Sequence, residues 1–459
     1  MTKRTAKKRP ELEQINVNAA GLDIGAEEIY ACVPNDRDTT PIRAFGTYTV
    51  DLYRMADWLK SCDIEMVAME STGIYWIPVY EILEERGFQV SLVNARHLKN
   101  VPGRKSDVSD SEWLQQLHTY GLLHSSFRPG EDICVLRALV RHRHGLIELR
   151  SQQIQLMQKA LEQMNVKLTE VVRDISGVTG MSIIYSILQG ERDPQKLAKL
   201  RQPNCKKDER EIAKALEGTY RAEHLFALRQ AVEAYEFFRR QVDACDREIE
   251  AYYASLPPAP PGEDTSPPPQ GQKHRKNEAN FDLSTSLYRT VGVDLTQIDG
   301  IHALTAQTII AEIGLDMSRW PTVKHFTSWL GLAPQNEISG GKVLRTRTKK
   351  TKNRASTALR MAAQSLYRSN SALGAFYRRM RAKNGPAKAT TATAHKLARI
   401  IYYMLRNRTD YRDPGQNYFE EEHRKRVIRN LQRKAQLYGL ELISIAEDQA
   451  NPLQTAPVS

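Results

Sequence analysis

Four acids and one serine carry the chemistry that this sequence offers. Asp23 sits in Gly21-Leu-Asp-Ile-Gly25, Glu70 ends the apolar run before Ser71-Thr-Gly73, and Asp107 and Asp110 stand three apart in Lys105-Ser-Asp-Val-Ser-Asp110. A spacing of three places Asp107 and Asp110 on one face of a helix. Hard divalent cations take oxygen ligands, and two-metal phosphoryl transfer uses clustered carboxylates to hold ions about 4 Å apart. Each acid alone has a plainer explanation, as an exposed strand-end residue or a first-turn acid favoured by the helix dipole. All four in topological order favour a shared metal site. Ser339 precedes Gly340-Gly341-Lys342. A serine before two glycines exposes its hydroxyl while the flexible backbone lets a phosphate come close. The same letters also spell a hairpin turn. His325 lies nearby in sequence, but no Ser-His-Asp order is evident, and a metal could supply the activation instead.

The acids need elements to carry them. Short apolar runs predict strands over Asn16 to Asp23, Glu28 to Val33 and Ile42 to Thr49, with Gly25 near the first turn. A helix follows over Val50 to Ser61, then a strand Glu65 to Glu70, a helix Trp76 to Arg86, a strand Gln89 to Asn94 and a helix Ser106 to Tyr120. Three consecutive strands followed by alternating helix and strand predict a mixed sheet flanked by helices, the order of a ribonuclease-H-like nuclease core. Next, Ile133, Val140, Ile147, Ile154, Leu161 and Leu168 recur every seven residues, with Leu136, Arg143, Arg150, Met157 and Met164 at the offset of three. This seam predicts a coiled coil weakened in its middle by two arginines. A second helical stretch, from Leu225 to Tyr252, fits either a return along the first or a seam between protomers. Seven of the 21 prolines lie between Pro257 and Pro269, which predicts a linker. Beyond it, Ile298-Asp-Gly-Ile301 leads into a helix, and backbone N–H groups at such a turn can hold a phosphate.

Charge narrows the classes of partner. The chain of 459 residues has 66 Lys and Arg against 54 Asp and Glu, a net charge of +12. From Ile338 to Thr409 there are 18 Lys and Arg and no acid, so the rest sums to 12 − 18 = −6. A solvated face interleaves acids with bases, so an acid-free stretch predicts a polyanion-binding surface rather than a membrane-binding one. The mass of 52.2 kDa suggests about three domains at roughly 100–200 residues each. No apolar run is long enough to span a membrane, and five scattered cysteines without a C-x-x-C pair predict neither a disulfide framework nor a zinc site. A cytoplasmic location is expected.

In order, GLDIG, MESTG, KSDVSD, the Ile-Asp-Gly-Ile segment, GLAP and Ser-Gly-Gly-Lys resemble the DEDD-type insertion-sequence transposases, also called bridge-RNA-guided recombinases, which are related to the Piv DNA invertases. The likeness runs from about residue 18 to 125 and from about 290 to 408. The tail Tyr418 to Leu442, with Arg424, Arg426, Arg429 and Arg433, looks like the basic helix that closes many members. The resemblance implies α/β plus all-α architecture: a RuvC-like mixed-sheet domain, a coiled-coil helical arm and a small, mainly helical transposase domain bearing the serine. The expected boundaries are a basic tail 1–15, the RuvC-like domain 16–128, the arm with an insertion 129–255, the linker 256–285, the transposase domain 286–409 and a basic helix and tail 410–459. It implies magnesium or manganese on Asp23, Glu70, Asp107 and Asp110. It also implies Ser339 as a nucleophile that forms a phosphoserine–DNA link, with an active site composed from two protomers and strand exchange through a Holliday junction. Ile338 stands where many relatives carry a second serine. Lys342, Arg345, Arg347, Lys349, Lys350, Lys352 and Arg354 are the expected nucleic-acid-binding residues. The expected partners are donor and target double-stranded DNA, a guide non-coding RNA and further copies of the chain, as a dimer or tetramer on DNA. The rival readings are a RuvC-like junction-resolving nuclease, with water as the attacking group, and a non-catalytic RNA-binding protein.

Overall fold

The computed structural model describes residues 13–71, 73–94, 110–260, 262, 265–269, 277–349 and 351–442. The chain divides into two compact units, Met1–Arg128 and Pro129–Ser459.

The first unit is built on five strands: β1 (Ala19–Ile24), β2 (Glu28–Cys32), β3 (Ile42–Gly46), β4 (Met66–Glu70) and β5 (Gln89–Val93). Their spatial order is β3-β2-β1-β4-β5. β1 pairs antiparallel with β2 and parallel with β4, so the sheet is mixed, as the order of runs predicts. The central position of β1 explains its small, apolar sequence, since a strand covered on both faces has no solvent side. Helices α1 (Thr49–Ser61) and α2 (Trp76–Glu85) cover one face. Leu52, Met55, Ala56 and Leu59 recur at helical spacing on α1 and pack with Ala20, Leu22, Val67 and Met69. Helix α3 (Asp110–Thr119) covers the other face, with Leu114 and Leu117 against Ala68 and Val93.

The second unit begins with α4 (Glu131–Gln163). The chain then folds into α5 (Leu168–Val171), α6 (Val178–Leu188), α7 (Pro194–Ala198) and α8 (Glu209–Ala215) before returning in α9 (Ala222–Ser255). α4 and α9 run antiparallel: the Cys245 thiol reaches the Leu139 carbonyl at 3.6 Å, and the Tyr252 hydroxyl donates to the Asp132 carbonyl at 2.8 Å. The apolar seam of α4 thus meets a helix of its own chain. The sevenfold pattern overruns that helix, because Met164 closes α4 and Leu168 opens α5. Residues 168–215, within the insertion expected in the arm, are a helical cap. Ile183, Ile184, Leu197 and Ile212 share one core with Met157, Leu161 and Leu228.

Arg143 does not weaken the seam. Its side chain is buried and forms an ion pair with Asp246 of α9, which is also buried, and it donates to the carbonyls of Asn277 and Glu278 at 3.1 Å. A buried charge survives only when paired and hydrogen-bonded, and this one satisfies both conditions. The same N-terminal part of α4 holds α11 (Ala303–Ile313), which follows α10 (Leu283–Val291). Arg141 makes a two-pronged contact with Glu312 at 2.8 and 2.7 Å, and Arg137 donates to the Ala311 and Glu312 carbonyls. Those carbonyls are among the ones a helix end leaves unsatisfied. The proline-rich segment is attached where it starts: the Ala259 N–H donates to the Arg289 carbonyl at 2.8 Å.

The rest of the unit comprises α12 (Val323–Trp329), a two-stranded ribbon of β6 (Pro334–Ser339) and β7 (Lys342–Thr348), and α13 (Arg354–Ser365). Then come α14 (Ala372–Asn384), α15 (Pro386–Asn407) and the exposed α16 (Gly415–Leu437). Gly300, in the Ile-Asp-Gly-Ile turn, has φ +83°, and a Cβ there would stand 2.8 Å from the Ala362 carbonyl oxygen. Close packing on α13 therefore accounts for this glycine.

Candidate functional site

Two of the acids leave the sheet side by side. β1 and β4 are parallel, with Gly21 opposite Ala68 and Leu22 opposite Met69. Asp23 and Glu70 come next on each strand, so they emerge at the C-terminal ends of both, on the face of Gly21 and Ala68. That face carries α3. Gly21 has no room for a side chain, because a Cβ there would stand 2.3 Å from the Gln115 nitrogen and from the Ser111 carbonyl oxygen. Its lack of a Cβ lets α3 lie directly on β1, and the described part of that helix opens with Asp110. Asp23 and Glu70 are half-buried and Asp110 is exposed. Asp107 lies outside the described residues.

The field on this face is negative. Tyr30, the cross-strand partner of Asp23, donates its hydroxyl to the Glu28 carboxylate at 2.9 Å. That hydrogen bond, the Glu28 charge, burial and the Asp23 charge, in that order, hold its phenol above the usual range. Cys32, opposite Gly21, is pushed up to about 12, by burial first and then by Glu112 of α3. A face where carboxylates disfavour further negative charge suits a cation, and an all-oxygen donor set suits magnesium or manganese. Among the described residues no three His, Cys, Asp or Glu side chains close into a ligand shell. Glu28 and Glu112 are acids of this face that the motif reading passes over. Strand alternation puts Glu28 on the side of Tyr30, and Glu112 follows Asp110 by two.

Ser339 ends β6 on the ribbon. Gly340 and Gly341 follow with φ +55° and +77°, and Ser339 pairs with Lys342. Positive φ at both central residues is the signature of a type I′ turn, which glycine adopts without strain. Ser339 is therefore both a hairpin-turn residue and an accessible hydroxyl, since every residue of β6 is exposed. The register sorts the ribbon into two faces. Gln335 pairs with Arg347, Glu337 with Arg345 and Ser339 with Lys342, so these six side chains share one face. Lys342 thus stands opposite the serine, and Arg345 and Arg347 lie further along the same face, opposite Glu337 and Gln335. Lys349, Lys352 and Arg354 are exposed beyond β7, and Lys350 lies outside the described residues. His325 is engaged locally, its Nδ1 2.9 Å from the Thr322 hydroxyl.

Residues 20–166 match a transposase family described as DEDD_Tnp_IS110, and residues 294–378 match the transposase IS116/IS110/IS902 family. The chain belongs to the IS110 family of DEDD transposases. No curated protein matches it. The transposase carries its strand-end acids in the first matched segment and Ser339 with the basic ribbon in the second. The sheet is that of a RuvC-like DEDD domain, and the enzyme acts on DNA. Among the described residues no helix of the transposase is long and apolar enough to cross a membrane.

Proposed function

We propose that this transposase is an RNA-guided recombinase that excises and integrates its own insertion sequence through a covalent phosphoserine–DNA intermediate and a Holliday junction. One observation carries the reading: Ser339 stands exposed at a type I′ turn with Lys342, Arg345 and Arg347 on its face. Cations in that position orient a phosphodiester and oppose the charge that builds on its oxygens during attack. Ser339 Oγ forms a bond to phosphorus and releases its proton, while the bond from phosphorus to the leaving deoxyribose oxygen breaks and that oxygen takes up a proton. The serine ester retains the bond energy, so a DNA hydroxyl can reverse the step on a new partner strand. Asp23, Glu70 and Asp110, with Asp107, would hold magnesium or manganese, which when bound polarises the phosphate and stabilises the leaving oxygen.

The guide RNA has its support in the family resemblance and in the charge. Ribbon cations contact phosphates without reading sequence, so sequence choice needs another reader. Base pairing with an RNA that contacts donor and target supplies one. Assembly as a dimer or tetramer on DNA would bring together the several strand ends that exchange requires.

The deciding experiment uses nicked suicide DNA, from which the cut strand cannot be rejoined. A denaturing gel should show a protein–DNA adduct, and mass spectrometry should place it on Ser339. Ser339→Ala should lose both adduct and recombination, since the backbone stays and only the attacking oxygen goes. A Ser339→Ala protein that cuts at full rate without an adduct would make water the attacking group. The guide is tested by sequencing the RNA that copurifies: one discrete species is expected, and random cellular fragments would exclude it.

A further inference from the structure

Opposite the serine face, the tip of the β6–β7 ribbon is apolar and bare. Ile338 pairs with Val343, and strand alternation points both away from the side of Ser339 and Lys342. A register shift between Glu337 and Ile338 leaves Leu344, next to Val343, as the extra residue of a β-bulge at the tip, paired with neither face. These three side chains are 63%, 54% and 70% exposed. The polar remainder of the ribbon supplies no core to receive them, and an isolated two-stranded ribbon gains little stability from such residues. Large apolar side chains clustered at an exposed tip mark a contact surface.

The surroundings identify the partner by charge. The tip opens a stretch of 72 residues, Ile338 to Thr409, that has 18 Lys and Arg and no acid. Lys342, Arg345 and Arg347 lie on the reverse face of the same ribbon. An apolar point inside a cationic surface complements stacked bases lying between phosphates. We propose that Ile338, Val343 and Leu344 form a wedge that enters the DNA base stack beside the phosphate attacked by Ser339. The proposal rests on the serine reading above and adds a DNA-opening role to it.

The distances suit that role. Ile338 and Ser339 are neighbours in the chain, about 3.8 Å apart between Cα atoms. Successive nucleotides of one strand rise about 3.4 Å. Wedge and nucleophile leave the tip at neighbouring positions on opposite faces, so a tip inserted at one base step would turn Ser339 to the backbone and Ile338 to the stack. A two-stranded ribbon also fits within the major groove, and apolar wedges unstack steps in other DNA-bending proteins. Strand exchange needs this opening, because a cut end must leave its old partner before it pairs with a new one.

The test is a binding measurement on the full-length chain without magnesium, so that no strand is cut. The probes are a fully paired duplex and the same duplex with a central mismatch flanked by 2-aminopurine. A wedge gains where opening costs less, so the wild type should bind the mismatched duplex several-fold more tightly and raise the aminopurine fluorescence. The Ile338→Ser, Leu344→Ser double variant should bind both duplexes equally and leave the fluorescence flat, whereas Ile338→Leu should keep the preference. Lys342→Ala should weaken both duplexes alike. Circular dichroism of the double variant, equal to that of the wild type, confirms that it is folded. No mismatch preference in the wild type, or a preference retained by the double variant, would overturn the wedge. So would light scattering in which the double variant falls apart from an oligomer that the wild type forms, because the tip would then be a contact between copies. The adduct experiment stands apart from this one, so either proposal can fail alone.

Discussion

A carboxylate at a strand end does little by itself, and the value of Asp23 and Glu70 lies in their shared register. Each follows the Leu22–Met69 pair by one residue, so the two acid groups point from the same edge of the sheet toward α3. Asp23→Ala or Glu70→Ala removes a donor from the proposed metal site and should lower cleavage of supercoiled donor DNA by at least about a hundredfold. DNA binding, which the proposed reading assigns to the basic stretch from Ile338 to Thr409, should stay near the wild-type level in a gel-shift assay. Cleavage at the wild-type rate in both variants would remove the metal assignment. Residue types made these acids legible in the sequence, because a carboxylate in an apolar run stands out. Gly21 was not legible in the same way. Its role depends on the Gln115 nitrogen and the Ser111 carbonyl, far along the chain, which no local pattern announces. Ser339 was half legible: the letters spell turn and nucleophile as competing readings, and in the fold one exposed residue at the turn is compatible with both.

At the scale of elements, the succession of strands and helices in the first unit and its mixed sheet could be read from runs and periodicity, with described ends shifted by a few residues; the order of the strands across the sheet was not read, and the predicted helix start at Ser106 lies outside the described residues. The reading of α4 went further than the helix does. A sevenfold pattern continues through letters whatever the backbone does, and Met164 and Leu168 fit the pattern while belonging to a cap and to a separate short helix. Arg143 misled for a related reason. A charge in a seam looks like a defect until the facing residue is known, and for Arg143 that residue is Asp246, 103 positions away. The pair gives a direct prediction. Asp246→Ala leaves the Arg143 guanidinium buried without its counter-charge and should cost about 3–5 kcal/mol of stability. Replacing both, as Arg143→Met with Asp246→Leu, removes the buried charges together and should recover most of that stability. Denaturation followed by circular dichroism separates the two cases. If the single and double variants unfold alike, the pair does not fix the register of the helical hairpin.

Over the whole molecule, the feature most plainly written in the sequence is the segregation of charge, and its consequence can be measured. All of the excess positive charge falls between Ile338 and Thr409, while the remainder sums to −6. On a duplex, each phosphate neutralised by a cation releases condensed counterions, so the logarithm of affinity falls with the logarithm of salt at about 0.9 per neutralised phosphate. Net charge alone would predict a shallow dependence, because the −6 of the remainder offsets part of the basic stretch. Local binding predicts a steep one, because acids more than about 10 Å away are screened at 0.1 M salt. The two accounts diverge on substitution. Arg345→Ala, Arg347→Ala and Lys349→Ala together should reduce the salt slope by up to about 2.7, near 0.9 for each phosphate left without its cation. Removing three cations from the exposed α16, such as Arg424, Arg426 and Arg429, leaves the ribbon intact and tests whether that helix touches phosphate as well. Titrations at several salt concentrations supply both slopes. Equal reductions would extend the DNA surface over α16. A reduction for the ribbon variant alone would confine it to the face that carries Ser339, and no reduction for the ribbon variant would detach the serine from its phosphate and remove the basis of the phosphoserine mechanism.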